Sequence, residues 1–377
     1  MPDEYQHRPT RAEIDTIALV QNLETIRRIA CGTPVMAVVK ADAYGHGAAH
    51  CSRELQGRGV NWFAVATVAE ALELRRSGII GRILVLGGCW PGEERAFLEN
   101  ELTPAVFTLE QARRLDNAAA DAGQDLRVHL KFDTGMGRVG FRFDAAEEIA
   151  RQVAALRHLE TEAVFSHFAA AEAIEQMEFT RLQNARLDEI VAEFKKSGIE
   201  PRYVDMANSP ATVLYPESRR SIVRIGGLLY GLARDILPEN VQLEGIRPVL
   251  SLRTQIAQVN TISGGETVGY GRSFVAESRR RIATLPIGYH DGLPRLLSNV
   301  GSVIVNGTSA PIVGRISMDW TTIDVTAAGN VDVGTDVIII GRDGELEIRA
   351  EDIARQANTI SYEITCGISR RVPRIYV

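Results

Sequence analysis

From Pro34 onward, short apolar runs alternate with stretches of helical periodicity. The runs are Pro34–Lys40 (PVMAVVK), Trp62–Thr67, Arg82–Gly88, Thr103–Thr108, Arg127–Asp133, Glu162–Phe168, Arg202–Ser209 and Ile222–Gly227. Each is short and apolar at consecutive positions, the pattern of a strand buried on both faces. Between them Ala48–Gln56, Leu109–Ala122 and the charged Ile174–Lys196 have helical spacing, and Thr16–Ala30 precedes the first run with the same pattern. Strict alternation of strand and helix implies parallel strands. Eight of them within roughly 250 residues is the arithmetic of a closed (βα)8 barrel, an α/β fold.

The pattern changes after about Val241. SLRTQIAQV, RRRIATLPIG, GSVIVNG, TTIDVT and DVIIIG are short strand-like segments separated by glycine turns, and only Ala350–Gln356 looks helical. This predicts a C-terminal all-β domain. The expected division is a barrel over residues 11–241 and a β domain over residues 242–377. Within residues 1–15, the alternating RAEID (Arg11–Asp15) is expected to add an edge strand to the second domain. No repeat, low-complexity tract or flexible linker separates the two, so they are expected to pack directly.

Composition narrows the function. The 377 residues are 45% hydrophobic and 24% charged, with a net charge of −6. An acidic balance argues against nucleic acid as the main partner. No apolar segment approaches bilayer-spanning length, and the polar start lacks the apolar core of a signal peptide, so a cytoplasmic location is expected. Cys31, Cys51, Cys89 and Cys366 lack CxxC pairs or zinc-ligand spacing, so reduced thiols and no metal are expected.

In such a barrel, chemistry gathers at the carboxyl ends of the strands. Lys40 ends the first run, where an apolar wall would favour the neutral, nucleophilic amine. The fifth run carries Lys131 and leads into DTGMGRVG, which holds Arg138. His167 ends the sixth, Asn208 and Ser209 the seventh, and the eighth carries Arg224 followed by Gly226 and Gly227. Taken singly, each has a plain structural account: a solvated strand end, a turn, a core histidine, a paired arginine. Taken together, a lysine, a phosphate-cradling end and an arginine on one barrel face point to a phosphate-bearing aldehyde cofactor. Pyridoxal 5'-phosphate (PLP) fits, with lysine linked to its aldehyde, serine and backbone amides on its phosphate, and arginine at its pyridine nitrogen.

The motifs VVKADAYGHG, KFDTGMGRVGF, SHFA, ANS, VRIGGLLYG, VGYGRSF, IGYHDGLPR, GRISMDW and ISYEITCGISRRVPRIY occur in this order. Through them the chain resembles the alanine racemases over nearly its whole length. The resemblance implies a PLP-dependent, two-base interconversion of L- and D-alanine that supplies peptidoglycan, in a homodimer with shared active sites. It implies Lys40 as the cofactor-linked lysine and the base for one face of the substrate, with Tyr270 as the base on the other face. A phenol has an ordinary pKa of about 10, so Tyr270 needs nearby positive charge, which the chain Tyr270–His167–Arg224 would supply. Tyr270 and Met318 would come from the partner subunit. Tyr44, Ser209, Gly226, Gly227 and Tyr362 match phosphate-binding positions, with Asn208 beside them. Arg224 matches the arginine at the pyridine nitrogen, with His167 behind it. Arg138 and the backbone amide of Met318 match the groups that hold the substrate carboxylate. Lys131 matches a lysine often carbamylated, whose new negative charge positions Arg138. Tyr289 and Tyr362 match tyrosines that narrow the entrance, with Arg295 and Arg315 further out.

There are two departures from the family pattern. Asp42 stands where asparagine is also frequent, and Glu172 replaces a common aspartate at the entrance. Rival readings are a serine or broad-specificity racemase, a PLP-dependent decarboxylase of similar architecture, and a non-catalytic PLP carrier. The decarboxylase would need acidic residues at the ring nitrogen where this chain has Arg224. The carrier would be a barrel alone. Tyr289 and Tyr362 would leave room for a methyl or hydroxymethyl side chain, which favours alanine with weaker action on serine.

Overall fold

The computed structural model describes residues 8–238 and 240–377. The chain divides into two compact units, Val20–Ile246 and a discontinuous one that joins the stretch up to Leu19 to Arg247–Val377. The first strand, β1 (Arg11–Ile14), belongs to the discontinuous unit.

The continuous unit is built on β2 (Val35–Val38), β3 (Trp62–Val65), β4 (Arg82–Val85), β5 (Leu102–Val106), β6 (Leu126–Asp133), the two-residue β7 (Phe141–Arg142), β8 (Leu159–Phe165), β9 (Tyr203–Asp205) and β10 (Val223–Ile225). The sheet order is β10-β2-β3-β4-β5-β6-β8-β9, with β7 added beside β6. Every pairing is parallel. A parallel bridge between Asp205 and Ile222 draws the last strands together. The expected eight-stranded barrel is therefore present and nearly closed. One core cluster contains Met36, Val38, Trp62, Ala64, Leu84, Ala105, Phe165 and Ile222.

Helices cover the connections where periodicity places them: Thr16–Ile29, Ala48–Gly57, Leu109–Ala122 and Met177–Lys196, the last preceded by a 3-10 turn at Ile174–Gln176. Side-chain caps mark the starts of three barrel helices: Thr67 and Glu70 form a capping box at Val68–Arg76, Thr108 accepts from the Gln111 amide at Leu109–Ala122, and Asn208 accepts from the Ala211 amide at Ser209–Leu214.

One segment departs from expectation. The first barrel strand stops at Val38, not at Lys40, and Ala41, Asp42, Ala43 and Tyr44 all have φ between 53° and 55°. The anticipated glycine-flanked bend is thus a turn of left-handed backbone, which costs L-residues roughly 1–2 kcal/mol each. It is held from both sides. Glu70 accepts from the Ala41 amide at 2.7 Å, and the Asp42 carboxylate accepts from the Ala48 amide at 2.7 Å.

The discontinuous unit contains β11 (Leu250–Gln255), β12 (Gln258–Ile262), β13 (Thr267–Val268), β14 (Phe274–Val275), β15 (Arg280–Leu285), β16 (Ser302–Val305), β17 (Thr308–Pro311), β18 (Thr321–Asp324), β19 (Asp336–Asp343), β20 (Leu346–Ile348) and β21 (Arg374–Tyr376). Its main sheet runs β17-β16-β19-β11-β1-β21, with β20 on β19, beside a smaller β12-β15-β18 sheet. β1 has an antiparallel neighbour in β11 and a parallel one in β21. It is therefore an interior strand and not the expected edge, with Ala12 and Ile14 fully buried. Ala350–Gln356 is helical as anticipated, but Ser361–Gly367 is a second helix. That segment is short, contains the β-branched Ile364 and Thr365 and a glycine, and lacks a side-chain N-cap, so local propensity does not announce it.

Candidate active site

The centre of the barrel's carboxyl end is Arg224. Its side chain on β10 is buried and donates from Nη2 to the Ser166 carbonyl (2.6 Å) and to His167 Nδ1 (3.2 Å). Its Nη1 forms an ion pair with Asp205, a fully buried carboxylate at the end of β9. A guanidinium can only donate, so His167 Nδ1 is the acceptor and the imidazole proton lies on Nε2. Burial, with Arg224 and Lys131 beside it, holds His167 well below its ordinary value, so it is neutral. Burial also lowers Arg224, to about 9, so it keeps its charge at neutral pH.

Lys131 and Lys40 complete a cationic group around this arginine. Lys131 is buried on β6, with Nζ 5.9 Å from the centre of the Phe165 ring. Burial and the nearby Arg224 and Arg138 push it down to about 8, against the opposite pull of Asp133. The half-buried Lys40 begins the left-handed turn, and its charge is felt at both Lys131 and His167. The glycine-rich loop after β6 is folded onto its own aspartate. The Asp133 carboxylate accepts from the amides of Gly135 (2.9 Å), Gly137 (3.1 Å) and Arg138 (3.1 Å), leaving the Arg138 side chain exposed.

Asn208, Ser209, Gly226, Gly227 and Tyr44 meet after β9 and β10. Asn208 caps the short helix Ser209–Leu214. The buried Ser209 Oγ accepts from the Gly226 amide (3.1 Å), which leaves its hydroxyl hydrogen to donate elsewhere. A Cβ on Gly226 would lie 2.4 Å from Tyr44 Oη, so any larger residue there would push the Tyr44 phenol aside. The Tyr44 ring packs 5.1 Å from Tyr230, whose hydroxyl donates to the Val38 carbonyl at the end of β2. Glu172 is exposed in the turn after β8.

The remaining anticipated residues belong to the discontinuous unit. Tyr270 is 73% exposed, in a turn that lies against Arg315. Tyr289 and Met318 are neighbours through their backbones: the Tyr289 amide donates to the Ser317 carbonyl (3.0 Å) and the His290 amide to the Met318 carbonyl (3.1 Å). Arg295 is exposed and tied to the Arg315 segment through Ser298, whose Oγ accepts from the Ile316 amide and donates to the Arg295 carbonyl. Tyr362 is half-buried in the helix Ser361–Gly367.

Sequence reasoning overlooked Asp205, although an acid inside the apolar strand YVDM is itself a signal. It also passed over a buried set below the lysines. There His129 Nε2 lies 3.2 Å from Glu162, and both oxygens of Glu162 pair with Arg82. Hydrogen bonds from His129 and Arg82 outweigh burial and hold Glu162 at about 2. Among the described residues no cluster has metal-ligand character, and no helix is long and apolar enough to cross a membrane.

A parallel eight-stranded barrel and a β unit, with a lysine just past the first barrel strand and a buried arginine on the last, define the fold class of the barrel racemases. The alanine racemase N-terminal domain family matches residues 14–234, and the alanine racemase C-terminal domain family matches residues 249–376. The chain belongs to the alanine racemase family. The alanine racemase of Geobacter sulfurreducens is 44% identical over 377 residues, covering 98% of this chain and 97% of that protein. The crystal structure of alanine racemase from D-cycloserine-producing Streptomyces lavendulae superposes with a TM-score of 0.92 at 37% identity, over 98% of this chain and 97% of that one. A Bartonella henselae alanine racemase, described with covalently bound pyridoxal phosphate, gives a TM-score of 0.88 at 28% identity, over 98% and 99%.

Proposed function

We propose that the chain interconverts L- and D-alanine with PLP held at the carboxyl end of the barrel, in a homodimer whose sites are shared, and that its D-alanine serves peptidoglycan synthesis. The observation that carries this reading is the setting of Arg224, buried and directed by Ser166, His167 and Asp205. The residues fit the cofactor. Ser209 has a hydroxyl hydrogen to give to a phosphate, and Arg224, charged at neutral pH, would offer a cationic donor to the pyridine nitrogen. When bound, PLP supplies an electron-accepting ring that makes the substrate Cα proton removable.

The chain's own residues then divide the work. Lys40 Nζ holds the cofactor and exchanges a proton on one face of Cα. Tyr270 Oη, from the partner subunit, does the same on the opposite face, so neither the substrate nor a base has to turn over. His167, neutral and carrying its proton on Nε2, passes the influence of Arg224 outward. Arg138 and the Met318 amide hold the substrate carboxylate, with Lys131, once carbamylated, positioning Arg138. Tyr289, Tyr362, Arg295, Arg315 and Glu172 shape the entrance.

Purified protein should show the visible absorbance of covalently held PLP, and Lys40→Ala should lose it. Tyr270→Phe should keep the absorbance and lose racemisation of both enantiomers. A Tyr270→Phe enzyme that racemises at the wild-type rate would refute the two-base assignment.

A further inference from the structure

Three stretches of the discontinuous unit, distant in sequence, converge on one carboxylate. The Asp291 side chain is fully buried (0% exposed). Arg8 donates to it from Nη1 (2.5 Å) and Nη2 (2.7 Å), Arg371 from Nε (2.6 Å) and Nη2 (3.1 Å), and the Gly288 amide at 2.9 Å. Two paired guanidiniums and an amide saturate both oxygens, a geometry that fixes direction as well as distance. The clamps reach further. Arg8 Nη2 donates to the Pro286 carbonyl (2.5 Å), and Arg371 Nη2 to Asp319 (2.7 Å). The Ser369 amide donates to the Asp291 carbonyl (3.0 Å).

Backbone contact makes the assembly tight. A Cβ on Gly288 would come within 2.3 Å of the Ser317 carbonyl oxygen and 2.4 Å of that of Met318. A Cβ on Gly292 would come within 2.4 Å of the Gly367 carbonyl oxygen. The segments around residues 288–292, 317–319 and 367–371 therefore cannot slide past one another while Asp291 stays paired. Tyr289 and Met318 ride on this assembly as exposed residues, 42% and 52%, so their placement comes from the backbone beneath them.

We propose that Asp291 is the positioning residue for Tyr289 and Met318. Its carboxylate, clamped between Arg8 and Arg371, sets the separation of the two loops. That separation determines the width available to a substrate side chain and the place of the Met318 amide. The functional part of this inference rests on the alanine racemase reading above.

The test is Asp291→Asn in the PLP-loaded enzyme. Loss of placement should raise KM for L-alanine about tenfold while kcat falls less than about threefold. It should also raise the use of L-serine relative to L-alanine. Uptake of 5-fluorotryptophan gives a readout independent of catalysis. Trp320 closes the Ser317–Trp320 turn, with its amide 3.1 Å from Ser317 Oγ. Its fluorine resonance should move in Asp291→Asn, while those of Trp62 and Trp90, in the other unit, stay in place. Should Asp291→Asn fail to fold, Arg8→Gln removes one clamp from a partly exposed position and should shift the same quantities less. A folded variant with unchanged Trp320 resonance, KM and serine-to-alanine ratio overturns the proposal. A wild-type protein without racemase activity would instead overturn the parent reading and leave the fluorine result standing.

Discussion

Lys131 lies inside the barrel wall among Lys40, Arg138 and Arg224, and burial lowers it to about 8. Near neutral pH roughly a tenth of it is then the free amine, far more than for an ordinary lysine. A free amine can add to carbon dioxide, forming an N–C bond and releasing one proton, and the resulting anion would be welcome among these cations. In 13C-bicarbonate, a carbamate carbonyl resonance should strengthen as pH rises from about 6 to about 8 and vanish in Lys131→Ala. Its persistence in that variant would place the modification elsewhere. Residues of this kind are legible in sequence because strand periodicity puts Lys40, Lys131, His167 and Arg224 at one end of parallel strands. Asp205 is signalled only as an acid in an apolar strand, and Glu162 and Asp291 acquire meaning from partners that only folding brings near.

Strand and helix positions follow from periodicity, which is why Leu109–Ala122 and Ala350–Gln356 fall where the pattern places them. The left-handed turn after Lys40 does not, because three of its four residues are ordinary (Ala41, Ala43 and Tyr44) and nothing local prefers positive φ. Its shape comes from Glu70 and Asp42 holding the neighbouring amides. Such strain is testable at its exposed first residue. Ala41→Gly should stabilise the protein by about 1 kcal/mol in denaturant unfolding, since glycine adopts this conformation without penalty. Ala41→Val should destabilise it. A destabilised Ala41→Gly protein would mean that the turn is not strained.

At the scale of the molecule, the shared-site reading makes a quantitative demand. Lys40→Ala and Tyr270→Phe should each be inactive alone. Refolded together, they should recover about a quarter of wild-type activity, because half of randomly paired dimers carry one intact site of two. Recovery near zero would place both bases in one chain. A second expectation concerns pH. Hydrogen bonds from Arg8 and Arg371 outweigh burial and keep Asp291 at about 2, below its value of about 3.9 in an unfolded chain. The stability it contributes is therefore complete above about pH 4 and is lost as pH falls through about 2.

The place of β1 between β11 and β21 also orders events during synthesis. Arg11–Ile14 leave the ribosome before the barrel strands, yet one neighbour follows only after the whole barrel and the other only with Arg374–Tyr376. The barrel can close on the nascent chain, while β1, outside it, waits bare-edged until β21 has been made. Loss of Arg374–Tyr376 would leave that edge open to a neighbouring molecule.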